Sequence, residues 1–227
     1  MKRKIFKTAD GSHSIKLPEW EEHYHSKHGA IQEANHVFIK SGLNYYKSIF
    51  PKKKNITVLE VGFGTGLNAL LTALYAEKNK INIKYIGLEA YPVEEKEWSL
   101  LNYPKMLEEK NALSVYREIH KTAWEQEVEI SENFELEKRK LFFQDFKQQN
   151  CADLIYFDAF GPRVQPELWM ENIFINMFEA LQENGILVTY SAKGSVRRTL
   201  QKIGFQVEKI PGPPGKREML RGSKMKN

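Results

Sequence analysis

The sequence predicts an α/β fold built on a mostly parallel sheet of seven strands, and three patterns indicate it. Strand-like and helix-like segments alternate through most of the 227 residues, which is typical of parallel strands joined by crossover helices. The segment ADLIYFDAF is apolar almost throughout, as expected of a strand covered on both faces. The last two strand-like segments are separated by PGPPGK alone. Because this turn is too short for a crossover helix, they must form an antiparallel hairpin at the end of the sheet.

Each element follows from a local pattern. KIFKTADGSHSIKL alternates around Asp10-Gly11, which predicts a hairpin, and residues 29–50 carry apolar side chains at helical spacing up to Pro51. We therefore expect an N-terminal hairpin–helix extension (1–50) packed on a core domain (51–227) that has a helical insertion at about 92–138. The expected strands of the sheet are ITVLEV, INIKYIGLEA, KLFFQD, ADLIYFDAF, GILVTYS, FQVEKI and REMLRG. The expected helices are LNALLTALYAEKN, most of the Glu-rich stretch 87–139, LWMENIFINMFEAL and SVRRTLQKI.

The composition is ordinary for a soluble globular protein, but the charge is uneven. Apolar residues make up 41%, and no stretch approaches the roughly 18 apolar residues of a membrane span. The N-terminus lacks the apolar region of a secretory signal, and the single cysteine, Cys151, allows no intrachain disulfide, so we expect a reducing, cytoplasmic compartment. Residues 193–227 hold ten Lys/Arg against two Glu (+8), and residues 87–137 hold thirteen Glu against five Lys/Arg (−8). The basic segment fits either a polyanion contact or a solvated face.

A glycine-rich turn follows the first strand of the core domain, in the segment VLEVGFGTGLN. Gly64 and Gly66 permit positive φ and a close approach of the backbone to a ligand, and the next helix offers its free N–H groups. The spacing of Gly62, Gly64 and Gly66 is G-x-G-x-G and differs from the dinucleotide fingerprint G-x-G-x-x-G. Because no Lys-Ser or Lys-Thr follows, a Walker-type phosphate loop is excluded.

Acidic residues end the first three strands of the predicted sheet. Glu60 comes two residues before the glycine turn, Glu89 ends the second strand, and Asp145 ends the third. At the carboxyl edge of such a sheet, these acids can meet an ammonium, two ribose hydroxyls and an adenine amino group, respectively. A nucleoside with a zwitterionic amino-acid tail fits this set, and S-adenosyl-L-methionine is such a ligand. The alternative for Glu89 and Asp145 is helix N-capping.

Several motifs in one order resemble a known family, the methyltransferases of the bacterial tRNA 5-methylaminomethyl-2-thiouridine pathway. They are DGSHS, YHSKHGAIQEANHVFI, LEVGFGTGLN, LIYFDAFGPRVQPELW, TYSAKGSVRRTL and GKREMLRG, between about residues 10 and 222. The sequence departs from the family at Gln144-Asp145, where Gly-Asp is expected, and at 163–165, where Lys-Asn is more usual. Some members carry a fused flavin-dependent oxidase domain, and a length of 227 residues leads us to expect the stand-alone form.

The resemblance implies a class I, Rossmann-like, S-adenosylmethionine-dependent methyltransferase fold with an antiparallel terminal hairpin. It implies N-methylation of the 5-aminomethyl group on the wobble (2-thio)uridine, in the tRNA anticodon loop. Asp158, at the end of the fourth strand, is the expected catalytic residue, with helix capping as the alternative. The expected cofactor-binding residues are Tyr24, Glu60, Gly62, Phe63, Gly64, Gly66, Asn68, Glu89, Asp145 and Asp158. The expected RNA-binding residues are Arg163, Lys193, Arg197, Arg198, Lys216 and Arg217, each with a solvated basic face as its alternative.

Other assignments stay open on sequence alone. Phe160 and Tyr190 can stack on a flipped base or pack in the core, and Phe63 can pack over the cofactor. The resemblance places Glu33 and His36 near the cofactor pocket beside Tyr24, and a role in tying the N-terminal segment to the sheet is equally open. The loosely spaced histidines His23, His25, His28 and His36 do not predict a metal site. The competing functions are aminopropyl transfer, methylation of another RNA, a small amine or a protein, and a non-catalytic RNA-binding module.

Overall fold

The N-terminal part of the computed structural model, which describes residues 2–225, is a small antiparallel sheet followed by one long helix. The sheet holds β1 (Lys4–Lys7), β2 (His13–Leu17) and β3 (Glu22–His23). The pairing of β1 with β2 confirms the predicted hairpin. The apolar spacing predicted one long or broken helix. The helix is continuous from residue 30 to 49 through α1 (Ala30–Ala34), a π-helical stretch (Asn35–Asn44) and α2 (Tyr45–Ile49).

A second sheet of eight strands forms the centre of the molecule, in the order β10-β11-β9-β8-β4-β5-β7-β6. The five central strands are parallel, while β6 at one edge and the β10–β11 hairpin at the other run antiparallel to their neighbours. The terminal hairpin is therefore confirmed. The strands are β4 (Asn55–Val61), β5 (Asn82–Leu88), β6 (Glu127–Ser131), β7 (Phe134–Arg139), β8 (Ala152–Phe157), β9 (Leu181–Thr189), β10 (Gln206–Pro211) and β11 (Glu218–Ser223). The helices are α3 (Leu67–Asn79), α4 (Glu95–Trp98), α5 (Tyr103–Leu107), α6 (Ala112–Lys121), α7 (Glu171–Ala180) and α8 (Gly194–Ile203), with 3₁₀ turns at Pro18–Trp20, Phe143–Asp145 and Pro166–Trp169.

The prediction for the third parallel strand is wrong. KLFFQD (140–145) is a loop that ends in a 3₁₀ turn, and β7, six residues upstream, pairs with β5 instead. Helices occupy 95–121 within the predicted helical insertion, but β6 and the start of β7 follow, so the sheet has eight strands rather than seven. The inward positions of β7 are Phe134, Leu136 and Lys138, and the lysine interrupts what would otherwise be an apolar alternation.

Lys138 is only 2% exposed, and its Nζ lies 6.0 Å from the ring centre of Phe63 in the glycine turn. Its Nζ donates to the carbonyl of His120 at 3.0 Å and lies 5.1 Å from the ring centre of Trp124. Burial lowers the pKa of Lys138 to about 8, because a charged ammonium loses its hydration there. A buried lysine with one carbonyl partner and an aromatic neighbour therefore takes the place of an apolar residue in β7.

The core lies on both faces of the central sheet. Alternate residues of β4 separate the two halves: Val58 packs in the cluster that contains Val37 and Leu43, and Leu59 packs in the cluster that contains Phe174. Each fully buried side chain of this kind contributes about 1.5–3 kcal/mol through the hydrophobic effect. The long N-terminal helix closes one face, and α7 and α8 close the other.

The long helix approaches the sheet closely because Gly42 has no side chain. A Cβ at this position would lie 3.1 Å from Val188 Cγ2 and 3.2 Å from the ring of Tyr156. No helix among residues 2–225 is both long and apolar enough to cross a membrane. The expected cytoplasmic location stays a prediction.

Candidate active site

A cavity of about 540 Å³ lies at the carboxyl edge of the central strands. Its walls come from the residues that follow β4, β5, β7, β8 and β9, together with residues 20–27, Glu33 and Lys216. Open α/β sheets bind ligands at this edge, and the volume is within the usual range of small-molecule sites. The strand ends, the N-terminal segment and the terminal hairpin therefore meet around one cavity.

The glycine turn forms one side of this cavity and requires its glycines. Gly62, Gly64 and Gly66 have φ angles of +95°, +51° and +70°, so the predicted positive φ at the last two is confirmed. A Cβ on Gly62 would lie 2.7 Å from the backbone oxygen of Asp158, which only glycine avoids. The amides of Gly62 and Phe63 both donate to the carbonyl of Leu88, at 3.1 and 2.9 Å. The turn is thereby held between the ends of β8 and β5.

Glu89 is fixed by the turn and by its own loop. Its Oε2 accepts the amide of Gly64 at 3.0 Å, and its Oε1 accepts the amide of Tyr91 at 2.9 Å. Burial raises the pKa of Glu89, and these two amide bonds oppose the rise. The helix that follows is capped by Glu94, so the N-capping alternative for Glu89 is wrong. The carboxylate lines the cavity in a fixed orientation.

The side-chain amide of Asn68 connects two acids, Glu60 and Asp158. Its Nδ2 donates to Glu60 Oε1 at 2.8 Å and to Asp158 Oδ2 at 2.9 Å. Asn68 Oδ1 is buried and has no hydrogen-bond partner among residues 2–225. Both amide protons are committed to carboxylates, so this oxygen remains as an acceptor beside the cavity that Asn68 lines.

Burial raises the pKa of Asp158 well above its usual range, and the charge of Glu33 raises it further. The hydrogen bond from Asn68 and the charge of Lys216 oppose this rise. The next helical turn, Pro166–Trp169, is capped by Gln165, so Asp158 is not a helix cap. Asp158 thus presents a carboxylate of raised basicity to the cavity.

Glu60 differs from its prediction. It is 0% exposed and does not line the cavity, so the expected direct contact with a cofactor ammonium does not fit this geometry. Burial raises the pKa of Glu60 well above its usual range, and the charge of Asp158 raises it further. Glu60 reaches the cavity through Asn68.

Asp145 also differs from expectation, whereas the packing of Phe63 over the cofactor stays a prediction. Asp145 is exposed, follows no strand and does not line the cavity, whereas its neighbour Gln144 does. The adenine contact assigned to Asp145 thus loses its geometric basis. The ring of Phe63 is 3% exposed and packs in the core against Gly87, where a Cβ would lie 2.4 Å from that ring, and the residue also lines the cavity.

Two aromatic residues at the mouth of the cavity were missed in the sequence. Tyr91 and Phe142 are 56% and 47% exposed, and their ring centres lie 5.9 Å apart in an edge-to-face arrangement. Both line the cavity beside Glu89. The available signal was position: Tyr91 comes two residues after the acid that ends β5, and Phe142 follows the true third strand.

The N-terminal segment contributes Tyr24, as predicted from the resemblance. Its ring lies 4.9 Å from that of Phe160, and a Cβ on Gly64 would lie 3.2 Å from Tyr24 Cδ1. Burial raises the pKa of Tyr24, so its hydroxyl stays protonated at neutral pH. His36 does not line the cavity; its Nε2 lies 2.8 Å from the carbonyl of Pro211 and joins the long helix to the terminal hairpin.

Four of the predicted RNA-binding residues line a shallow depression beside the cavity: Arg163, Lys193, Lys216 and Arg217. Arg197 and Arg198 lie on α8 outside it, the first half-buried and the second exposed. Among residues 2–225 no cluster of three His, Cys, Asp or Glu side chains has the arrangement of a metal site.

Lys216 does not extend freely to solvent. Its Nζ lies 2.8 Å from Glu33 Oε1 and 4.0 Å from the ring centre of Tyr190. The side chain therefore lies at the boundary between the depression and the cavity, both of which it lines.

The fold and the site together define a class: a Rossmann-like sheet with an antiparallel terminal hairpin and a glycine turn beside an acid that follows the second strand. The profile of a family described as S-adenosyl-L-methionine-dependent methyltransferase matches residues 107–225. This chain belongs to that family, and S-adenosyl-L-methionine is its methyl donor.

Two curated proteins illustrate the similarity of this chain to known sequences. The "tRNA 5-methylaminomethyl-2-thiouridine biosynthesis bifunctional protein MnmC" of Hydrogenovibrio crunogenus is 30% identical over 216 residues, which cover 89% of this chain and 31% of the relative. The protein of the same name from Leptospira interrogans serovar copenhageni is 32% identical over 220 residues, covering 90% of this chain and 33% of the relative. This chain thus spans about a third of the length of the curated relatives that it matches, and the resemblance predicted from the motifs is confirmed for that part.

Two solved structures have folds similar to that of this chain. The crystal structure of MNMC2 from Aquifex aeolicus is 27% identical and superposes with a TM-score of 0.80, covering 100% of this chain and 71% of that chain. A probable spermidine synthase from Corynebacterium glutamicum, 14% identical with a TM-score of 0.56 over 99% of this chain and 77% of that one, shares the fold alone.

The residues fit S-adenosyl-L-methionine on structural grounds. Three glycines at positive φ let the backbone approach a ligand, and the unpaired Asn68 Oδ1 can accept from an ammonium. The carboxylate of Glu89 is held in place and keeps acceptor capacity for hydroxyl groups.

Proposed function

We propose that this chain methylates the primary amine of the 5-aminomethyl group on the wobble (2-thio)uridine of tRNA, giving the 5-methylaminomethyl derivative. The observation that carries the proposal is the Asp158 carboxylate, fixed by Asn68 at the floor of a cavity that adjoins a basic depression. The names and the extent of the similar proteins support the same substrate.

The cofactor is proposed to lie along the carboxyl edge of β4 and β5. The glycine turn and Asn68 would hold its amino-acid tail, Glu89 would accept the ribose hydroxyls, and Tyr91 with Phe142 would flank the adenine. When bound, it supplies a methyl group on a sulfonium and keeps the electron pair of the broken C–S bond, so each transfer to an amine releases one proton.

Asp158 is proposed to prepare the amine. A primary alkylammonium has a pKa near 10.4, so about one molecule in 10³ is the nucleophilic free base at pH 7. The carboxylate of Asp158 accepts an N–H of the amine, which aims the nitrogen lone pair, and its charge stabilises the positive charge that grows on nitrogen. Because burial raises its pKa, Asp158 also accepts a proton more readily than an exposed carboxylate and can pass it to water.

The basic depression is proposed to hold the RNA backbone beside the cavity. Arg163, Lys193 and Arg217 would contact phosphates, with Arg197 and Arg198 extending the same charge along α8. Phe160, whose ring lies against Tyr24, would stack on the flipped base.

The variant Asp158→Asn tests the proposed reaction. It keeps the size of the side chain and removes the charge, so we expect the methylation rate of aminomethyl-containing tRNA to fall by about 10²–10⁴-fold, typical of a lost general base. Cofactor affinity, measured by calorimetry, should change by less than about threefold. Glu171→Gln, which alters an exposed acid of α7 paired with Lys202, is the matched control and should leave the rate unchanged. Near-normal turnover of Asp158→Asn with intact cofactor binding would falsify the assignment.

A further inference from the structure

A carboxylate, Glu33, and an aromatic ring, Tyr190, line the same cavity as Asp158. Glu33 is 8% exposed; its Oε2 accepts the amide of Ser26 at 2.7 Å, which leaves Oε1 directed to Lys216. Tyr190 is fixed by its hydroxyl, which donates to the carbonyl of Ala159 at 2.8 Å. A fixed carboxylate beside a fixed aromatic face is the environment in which proteins bind an alkylammonium ion.

An alkylammonium already occupies this place, and it belongs to the protein itself. Lys216 Nζ lies 2.8 Å from Glu33 Oε1 and 4.0 Å from the ring centre of Tyr190. The charges of both Glu33 and Lys216 affect Asp158, so the three groups are electrostatic neighbours in one cavity. The ammonium of Lys216 thus shows where a cationic amine is stabilised in the cavity that Asp158 also lines.

The side chain of Lys216 can also make a second contact, in the basic depression. Its side chain lines the basic depression as well as the cavity and is 34% exposed. The depression brings Arg163, Lys193 and Arg217 together, so an RNA phosphate bound there would attract the lysine away from Glu33. A lysine has a flexible four-carbon stem and can make either contact.

We propose that Glu33 and Tyr190 form the subsite for the substrate's ammonium, and that Lys216 occupies this subsite until an RNA phosphate draws it out. This rests on the proposed function, because it assumes that the substrate is a primary amine carried on RNA. The subsite holds the ammonium near Asp158, which then takes part in its deprotonation. Binding of the RNA backbone is thereby coupled to opening of the amine site, and a free nucleoside, which has no flanking phosphates, must compete with Lys216.

The coupling predicts opposite effects on two substrates. Lys216→Met removes the internal competitor and keeps much of the apolar stem. If the lysine occupies the subsite most of the time, the apparent affinity for 5-aminomethyluridine nucleoside should rise by about 5- to 30-fold, since occupancy of the competent state scales the apparent constant. The KM for aminomethyl-containing tRNA should rise instead, because one phosphate contact is lost. A purely structural ion pair would not produce this inversion.

Glu33→Gln tests the other side of the subsite. Glutamine retains an oxygen that can accept the Ser26 amide, so the local fold is kept, but the charge that binds an ammonium is lost. The KM should rise by about tenfold or more for the nucleoside and for the tRNA alike. Lys202→Met, which breaks a surface ion pair with Glu171, is the matched control and should change neither substrate's KM.

The experiment measures KM for both substrates in the four proteins, and the Kd of the nucleoside by calorimetry in the absence of methyl donor. Thermal melts confirm that each variant is folded. A lower nucleoside KM and Kd with a higher tRNA KM in Lys216→Met supports the inference. An unchanged or higher nucleoside KM in that variant, with active wild-type protein, overturns the inference and leaves the proposed function standing. If the wild type does not methylate the tRNA, the proposed function fails and the inference fails with it.

Discussion

Replacing Asn68 with leucine removes the amide that connects Glu60 and Asp158 and changes little else. Leucine has nearly the same shape as asparagine, so it fits the same space without leaving a large cavity. What it removes is the pair of N–H donors that reach the two carboxylates at 2.8 and 2.9 Å. Both acids would then be buried without that donor.

The size of the effect follows from those two contacts. A hydrogen bond to a charged group contributes about 1.5–3 kcal/mol, so two of them set an upper limit of about 6 kcal/mol. The acids can relieve part of the loss by taking up protons, since burial already raises the pKa of each above its unfolded value of 4.5 for glutamate and 3.8 for aspartate. We therefore expect a destabilisation of about 3 kcal/mol at pH 8.

The dependence on pH has a definite sign. An acid whose pKa is raised by folding stabilises the native state most below its unfolded pKa, and this stabilisation is lost as the pH rises through the folded pKa. In Asn68→Leu both pKa values rise further, so stability falls more steeply with pH than in the wild type. The difference between the two proteins should therefore be smaller at pH 5 than at pH 8.

Urea unfolding of both proteins at pH 5 and pH 8 measures this difference directly. Asn79→Leu is the matched control, because Asn79 lies at the end of the same helix and donates to the carbonyl of Tyr75 on an exposed surface. It should cost less than about 1 kcal/mol at either pH. A destabilisation of Asn68→Leu that is equal at the two pH values, or no larger than that of Asn79→Leu, would show that the Asn68 amide does not stabilise the two carboxylates.

Three further substitutions test the glycine turn, the buried lysine of β7 and the proposed ribose contact. Gly62→Ala places a Cβ 2.7 Å from the backbone oxygen of Asp158 at a φ of +95°. It should therefore lower the free energy of unfolding by about 2 kcal/mol or more and weaken cofactor binding. Gly194→Ala is the control: its Cβ would lie 3.2 Å from the end of a flexible side chain, so the free energy of unfolding in the same urea titrations should change by less than about 0.5 kcal/mol. Lys138→Met should raise the free energy of unfolding by about 1–2 kcal/mol at pH 7, because folding lowers the pKa of the lysine from 10.5 to about 8. This gain in stability should shrink as the pH rises from 8 to 10.5. A gain that does not change with pH would contradict the idea that burial destabilises the charged lysine. Glu89→Gln should weaken S-adenosyl-L-methionine binding by about tenfold in calorimetry, since a neutral amide is a poorer acceptor for ribose hydroxyls, and an unchanged Kd would argue against its proposed role.

The sequence predicted the parts of the fold whose local patterns agree with the tertiary structure. β4 and β8 are apolar runs, α3 has a wide apolar face directly after the glycine turn, and PGPPGK leaves no choice but a hairpin. The β6–β7 hairpin was not predicted, because its apolar residues alternate with glutamates and because Lys138 occupies an inward position where periodicity predicts an apolar residue. Tertiary burial overrode the local signal there.

The run KLFFQD misled the prediction for a related reason. Its aromatic residues resemble a buried strand, yet Phe142 is 47% exposed at the mouth of the cavity and Phe143 packs in the core just after the true strand. Asp145 was then placed at a strand end that does not exist. Aromatic residues at a ligand site and aromatic residues of a buried strand look alike in a sequence.

The sequence predicted the site residues that follow strand ends or form the glycine turn. It did not predict the contacts between side chains that are distant in the sequence. The glycine turn and the strand ends place Glu89 and Asp158 at the cavity. The hydrogen bonds of Asn68 to Asp158 and of Lys216 to Glu33 are different, since they join residues 90 and 183 positions apart. No local pattern announces such a pair, and each changes the assigned role of a residue: Glu60 acts through Asn68, and Lys216 lies against a carboxylate.

Nucleoside mass spectrometry gives a direct test of the proposed methyl transfer to the aminomethyl group of a wobble uridine. Purified protein is incubated with S-adenosyl-L-methionine and tRNA that carries 5-aminomethyl-(2-thio)uridine, and the RNA is digested to nucleosides. We expect this nucleoside to disappear while 5-methylaminomethyl-(2-thio)uridine appears in equal amount, and we expect Asp158→Asn to slow the conversion by about 10²–10⁴-fold. An unchanged nucleoside profile from protein that binds the cofactor would contradict the proposed methyl transfer.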